Sequence, residues 1–297
     1  MVPEIVSRPP SELTDEDRRA LRTLVERATR ADGVEPLNEE SRLAARHGTP
    51  DRTHLLAPDE DGGLRGYATL ANGAAEVVID PAHRGHGIGG ELLDRLRAED
   101  PDLLLWSHGD LDGGRRLAAS RGLAPRRSLW RMERPVSGEF SELPPVRLPE
   151  GVSVRPFRPG EDDETWLELN ARAFADHPEQ GRMTLQDLHE RQQESWFDPT
   201  GFLLLVREED DAVVAFHWTK IDEHGTGEVY VVGVDPEQQG HGLGRAATLV
   251  GLHHLAERGV GTVELYVDGD NDPAVRTYGG LGFERAAVDR QYGPPLG

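Results

Sequence analysis

Two stretches of this 297-residue sequence nearly repeat one another. The first reads Asp80-Pro-Ala-His-Arg-Gly-His-Gly-Ile-Gly89 and the second Asp235-Pro-Glu-Gln-Gln-Gly-His-Gly-Leu-Gly244, an offset of 155 residues. Each follows a β-like run (Ala75 to Ile79, Glu228 to Val234) and each opens a helical pattern (Gly90 to Ala98, Arg245 to Arg258). An offset of half the chain implies two similar domains, because solenoid repeats recur every ~20–50 residues. The chain must therefore build the same strand–glycine loop–helix unit twice. Between the copies, Arg134 to Gly151 is rich in proline, serine and glutamate, with Pro135, Pro144, Pro145 and Pro149. Such a composition marks an interdomain connection. The expected organisation is an N-terminal domain over 1–140, a linker over 141–150 and a C-terminal domain over 151–297.

In the second half, Val152 to Phe157 opens with a strand signal. Asp162 to Ala175, Thr184 to Ser195, Gly242 to Arg258 and Asp272 to Leu281 carry helical patterns. Phe202 to Arg207, Ala212 to Lys220, Gly227 to Val234, Thr262 to Val267 and Phe283 to Val288 are expected strands. Strands and helices mixed in this order give an α/β class with a mixed, α+β-type central sheet in each domain. Within Gly227 to Val234, alternation should point Glu228, Tyr230 and Val232 to one face.

The glycine loop suggests what the chain binds. Glycines between a strand and a helix let backbone N–H groups approach a ligand closely, and the helix N-terminus adds partial positive charge. Together they form a cradle for a diphosphate. A dinucleotide loop needs G-x-G-x-x-G, whereas this loop reads G-x-G-x-G and lacks the surrounding doubly wound repeats. A P-loop needs a lysine after the glycines, and none follows. A plain glycine-rich turn remains the simpler reading for one copy, but two copies in the same context weigh against it.

Composition narrows the chemistry. With no cysteine there is no disulfide, no thiolate metal site and no cysteine nucleophile. A net charge of −21 opposes nucleic acid and favours a cationic small substrate, although solubility alone could explain it. The apolar runs are strand-length, too short to span a bilayer, and residues 1–10 contain no signal-type apolar core. These features give the expectation of a cytoplasmic monomer that engages neither membrane nor nucleic acid and needs no metal. Lys220 is the only lysine. His86 and His241 read as exposed loop histidines. The pair His253 and His254, lacking carboxylates at metal spacing, reads as a solvated helix face.

Arg84-Gly-His-Gly-Ile-Gly89 and Gln239-Gly-His-Gly-Leu-Gly244 both match the [RQ]-x-x-G-x-[GA] signature of the GNAT acetyltransferases, which the chain therefore resembles. Asn271-Asp-Pro-Ala-Val-Arg-Thr-Tyr278-Gly-Gly-Leu-Gly-Phe283 resembles the closing motif of that family. The resemblance implies two tandem GNAT domains, with acetyl-CoA as acetyl donor. It implies donor contacts at Val232, Gly233, Val234, Gln239, Gly240, His241, Gly242, Leu243, Gly244, Arg245, Asn271, Asp272, Pro273, Ala274, Val275 and Arg276. In the first copy it implies them at Val77, Val78, Ile79, Gly85, His86, Gly87, Ile88, Gly89 and Gly90. His177-Pro-Glu-Gln-Gly181, Trp196-Phe-Asp-Pro199, His217-Trp-Thr-Lys220, Gly227 to Asp235 and Leu265-Tyr-Val-Asp268 are similar to the mycothiol synthase branch, over nearly the full chain. That branch acetylates the cysteinyl amine of a cysteine–glucosamine–inositol conjugate in actinobacteria. From it come expected substrate contacts at Glu39, Glu179, Lys220, Glu228 and Tyr266. If Glu39 reaches the second domain's site, the substrate bridges both domains.

Acetylating an amine requires removing a proton, stabilising the tetrahedral oxyanion and helping a thiolate leave. Glu228 is the candidate base or ammonium-binding carboxylate, acting through water, and Tyr278 the candidate acid. When Gly282-Phe283 is aligned with Gly122-Leu123, Tyr278 falls opposite Ala118 and Asn271 opposite Leu111. Glu76 precedes Val77, but no tyrosine accompanies it. Catalysis is therefore expected in the second copy, with the first structural or regulatory. Two alternatives remain. One is a GNAT enzyme for another amine, such as a peptide N-terminus or an aminoglycoside. The other is a non-catalytic acyl-CoA sensor.

Overall fold

The computed structural model of the protein describes residues 4–9, 13–47, 52–138, 142–175 and 180–296. The chain forms two compact units. Met1–Trp130, Asp268–Asp270 and Ala287–Gly297 make the first, and Arg131–Val267 with Asn271–Ala286 the second. The end of the chain, assigned from the sequence to the second domain, thus packs with the first. Hydrophobic pattern alone cannot show which sheet edge a terminal strand will join.

The first unit holds β1 (Val6–Arg8), α1 (Asp15–Asp32), α2 (Glu39–His47), β2 (Thr53–Pro58), β3 (Leu64–Ala71), β4 (Ala74–Ile79), α3 (Ile88–Glu99), β5 (Leu104–Ser107) and α4 (Asp112–Ser120). β6 (Ala124–Pro135) follows and continues into the second unit. That unit holds β7 (Val152–Pro156), α5 (Asp163–Ala173), α6 (Leu185–Gln192), β8 (Phe202–Arg207), β9 (Ala212–Ile221), β10 (Gly227–Val234), α7 (Leu243–Glu257), β11 (Thr262–Asp268) and α8 (Asp272–Gly279). The last strand, β12 (Glu284–Gly293), begins in the second unit and pairs antiparallel with β5 in the first, Arg290 opposite Ser107. Among the described residues, no helix is long and apolar enough to cross a membrane.

Both units share one mixed topology. β1 to β4 pair antiparallel in sequence, as do β7 to β10. Each unit then adds one parallel neighbour, β5 beside β4 and β11 beside β10. Both parallel ladders are short. One joins Ala74 to Leu104 and Ala75 to Leu105; the other joins Gly227 to Val263 and Glu228 to Glu264. Beyond those pairs the strands part, leaving a fork in each sheet just ahead of the glycine loop.

Helices cover both faces of each sheet, as the apolar patterns require. In the second unit, Trp166 of α5 meets Phe202, Phe216 and Trp218 edge-on at 5.2–5.5 Å. On the opposite face α7 lays Leu243, Ala246 and Ala247 against Leu205, Val214 and Ala215. This helix approaches closely enough for His217 of β9 to donate from Nδ1 to the Ala247 carbonyl at 2.8 Å. Burial, only partly offset by that bond, pulls His217 down to about 4, so the ring is neutral. The approach depends on Gly251, where a Cβ would lie 2.2 Å from the His217 ring. Gly251→Ala should therefore cost about 1–3 kcal/mol through overpacking, read as a lower urea midpoint at unchanged slope.

Candidate active site

The two glycine loops have the same backbone. Gly85 and Gly87 have φ of 79° and 86°, and Gly240 and Gly242 have 84° and 81°. Residues other than glycine rarely adopt such backbone values. A short 3₁₀ turn precedes each pair, Pro81–His83 or Pro236–Gln238. Asp80 caps the first by accepting from the Ala82 N–H at 2.9 Å, and Asp235 the second from the Glu237 N–H at 3.0 Å. Arginine steadies both caps, Arg27 on Asp80 at 3.1 Å and Arg172 on Asp235 at 2.8 Å. Gly87 and Gly242 then stand at the N-caps of α3 and α7 with no side-chain cap. The first N–H groups of each helix, at Ile88, Gly89 and Gly90 or Leu243, Gly244 and Arg245, have no intrahelical acceptor, the arrangement that suits an anion. Exposed His86 and His241 fold back onto their own loops, Nδ1 lying 3.2 Å and 3.4 Å from the His83 and Gln238 carbonyls.

Val232, Gly233 and Val234 run from the fork to the cradle, as Val77, Val78 and Ile79 do in the first unit. The expected alternation along β10 fails, however. Val229 pairs with Thr219 and Val231 with Trp218, so Tyr230 is an extra residue, a β-bulge. The bulge breaks the pleat. Glu228 shares a face with Lys220, whereas Val232 turns to the other face and packs beside α7. β4, by contrast, pairs with β3 without interruption from Ala74 to Ile79.

On the face carrying Glu228, the sheet register assembles three of the expected substrate residues. Lys220 lies opposite Glu228, their charged atoms 3.5 Å apart, both side chains largely buried. Glu228 lies opposite Glu264, and exposed Tyr266 follows two residues along the same strand. The Lys220 ammonium sits over the Trp196 ring at 4.9 Å and the Tyr230 ring at 5.2 Å. Arg191 Nε donates to the Tyr230 hydroxyl at 2.7 Å. Glu228 is therefore not a lone strand carboxylate but one member of an ion pair over aromatic rings. Glu264 is not among the residues expected from the sequence; burial pushes its carboxyl upward and Arg131 binds it at 3.1 Å. The only available signal was its place in the strand motif beside Tyr266. Glu39 is the half-buried first residue of α2 in the first unit. Glu179 lies outside the described residues.

Tyr278 lies near the end of α8, its ring edge-on to Phe283 at 6.0 Å. Burial pushes its phenol up to about 12, so it keeps its proton and remains a donor. Asn271 caps this helix, its side-chain oxygen accepting from the Ala274 N–H at 3.2 Å. That oxygen is committed to folding. Asp272, Pro273, Ala274, Val275 and Arg276 form the first turns behind the cap. The first unit repeats this backbone without its side chains. Phe283 N–H bonds to the Tyr278 carbonyl at 3.0 Å, and Leu123 N–H to the Ala118 carbonyl at 3.0 Å. Leu111 holds the N-cap of α4 but offers no cap bond.

The first unit's fork is occupied differently. Counting back from the Asp80 and Asp235 caps, Glu76 stands where Val231 does, so it is not the counterpart of Glu228. Buried Glu76 accepts from His108 Nε2 at 2.6 Å and from the Asn38 N–H at 2.8 Å. His108 Nδ1 donates to Asp289 at 3.1 Å, and the Gly109 N–H reaches the same carboxylate at 2.7 Å. Burial alone would lower His108, but Asp289 and Glu76 outweigh it and hold the ring at about 10. A folded-state value above the ordinary 6.5 stabilises fully below pH 6.5, and that contribution is lost as pH rises toward 10. The stability advantage of the wild type over His108→Gln should therefore shrink between about pH 7 and 10, measured by urea unfolding across that range.

Further differences from expectation lie on α7 and the connection before β7. His253 and His254 are half-buried rather than solvated, and His253 Nε2 donates to the Pro144 carbonyl at 2.9 Å. The expected linker is thus packed against α7.

A model of the acetyltransferase (GNAT) family matches residues 164–283. The chain is 70% identical over its whole length, and over the whole of the relative, to a mycothiol acetyltransferase of Kytococcus sedentarius. It is 50% identical to one of Thermobispora bispora, over 94% of this chain and 96% of that one. Among solved structures it resembles a GCN5-related N-acetyltransferase of Sphaerobacter thermophilus, with TM-score 0.66, 25% identity and coverage of 98% and 96%. A tandem GNAT protein from the clavulanic acid biosynthesis pathway shares the fold, with TM-score 0.70, 18% identity and coverage of 99% of each chain.

Proposed function

Because this chain belongs to the mycothiol acetyltransferase family, we propose that it transfers the acetyl group of acetyl-CoA to the cysteinyl amine of the cysteine–glucosamine–inositol conjugate, giving mycothiol and CoA. The observation that carries the reading is the open cradle of α7 at one end of β10, with a paired carboxylate at the other. Val234 lies six positions beyond Glu228, about 20 Å of strand. A diphosphate on the α7 N–H groups would direct a pantetheine arm along the free edge of β10, past Val234 and Val232, into the fork.

There the residues divide the work. Lys220 and Glu228 hold a hydroxyl-rich ammonium substrate, the carboxylate accepting and the ammonium donating. Glu228, directly or through water, takes the proton the amine loses as its nitrogen bonds the acetyl carbon. Tyr278, protonated up to about pH 12, donates to the sulfur as the carbon–sulfur bond breaks. Glu39, Glu179 and Tyr266 belong to the same proposal as substrate contacts. A diphosphate at the first cradle also belongs to it, without chemistry, because Ala118 replaces Tyr278 there. The proposal has the chain work in the cytoplasm as a monomer.

The test is thiol release from acetyl-CoA with the cysteinyl glycoside as acceptor. Glu228→Gln and Tyr278→Phe should each lower turnover by about 10²–10⁴-fold while leaving CoA affinity nearly unchanged. Wild-type turnover in both variants would remove these roles. Wild-type protein acetylating other amines but not this glycoside would remove the substrate.

A further inference from the structure

Against the first turn of α7 lies a hollow of about 390 Å³, lined by Pro144, Pro145, Arg147, Gly242, Arg245 and Leu249 among others. It shares Gly242 with the cradle. Its walls are unusual for a chain of net charge −21. Two arginines face one space, Arg147 from the connection before β7 and Arg245 from α7, and among the described residues neither has an ion-pair or hydrogen-bond partner. The remaining walls are prolines, Ala246 and the buried side chain of Leu249.

The first unit lacks this arrangement at matching positions. Gly90 stands where Arg245 does and Asp94 where Leu249 does. Arg121 fills that space instead, its guanidinium 2.1 Å from where a Gly90 Cβ would sit and bound to Asp94 through two contacts of 2.9 Å. The hollow in the second unit therefore does not follow from the shared fold. It requires that unit's own Arg245 and Leu249, together with the Pro144–Arg147 segment that His253 holds in place.

Building on the acetyl-CoA reading, we propose that this hollow seats the 3′-phosphorylated adenosine end of the acyl donor, and that Arg147 with Arg245 reads its phosphate monoester. The hollow adjoins the cradle, at the opposite end of β10 from Glu228, where the nucleotide end of a donor lying along that strand must fall. Flat proline and leucine surfaces suit a purine, and unpaired guanidinium groups suit a phosphate dianion, which they can bind through two parallel hydrogen bonds. Arg147 is thus a specificity residue supplied by the segment between the repeats.

Calorimetric titration of CoA and 3′-dephospho-CoA into the full chain tests this. Wild type should prefer CoA by about tenfold or more, the range of a charge-assisted contact. Arg147→Ala should shrink that preference to near unity by weakening CoA alone, Arg147→Lys should retain part of it, and Arg245→Ala should act in the same direction. An undiminished preference in both alanine variants, or equal binding of the two ligands by wild type, overturns the inference while leaving the acetyl-CoA reading intact. Failure of wild type to bind either ligand overturns both.

Discussion

Everything in the proposed chemistry depends on a few backbone N–H groups at the head of α7 that the fold leaves unsatisfied. Gly240 and Gly242 turn the chain through left-handed conformations into the helix, and no side chain caps its first turn. The protein as a whole is strongly acidic, so it can attract a polyanionic ligand only through local donors. Over a screening length of about 8 Å the remote carboxylates lose most of their influence, whereas N–H dipoles in contact do not. The fork between β10 and β11 gives those donors a direction. It opens one strand edge between the cradle and the Lys220–Glu228 pair.

The two units show how one backbone can be used in two ways. The loop dihedrals, the aspartate caps and the turn after the last helix recur almost unchanged. The side chains that would do chemistry do not. Val231 at the second fork is matched by Glu76, which an imidazolium and two backbone N–H groups knit into a buried network with Asp289. Tyr278 is matched by Ala118, and Arg245 by Gly90. The first unit places charge where it stabilises the fold. The second leaves Arg147 and Arg245 facing a hollow, and it keeps the Lys220–Glu228 ion pair and the Tyr278 phenol, which have no match in the first.

Much of this could be read from the sequence because it is local. The repeated loop needs no tertiary information, since glycine spacing between strand and helix already implies the conformation. Pattern alone bounds β8 and β10 at Phe202–Arg207 and Gly227–Val234, the limits they have in the structure. What could not be read is what pairing decides. An extra residue at Tyr230 is visible only against β9, and it moves Val232 to the other face. The Glu76–His108–Asp289 network joins side chains 181 positions apart, and Glu264 gains meaning only from standing opposite Glu228. Proline-rich composition suggested a linker, but packing of Pro144 on His253 depends on a helix far along the chain.

The most direct measurement follows the backbone amide resonances of Leu243, Gly244 and Arg245 by nuclear magnetic resonance as CoA is added. Binding through the α7 head should shift these signals most strongly and saturably, with the Val232 and Val234 amides moving alongside them. If CoA binds while those amides stay where they were, the diphosphate is held elsewhere and the account is wrong.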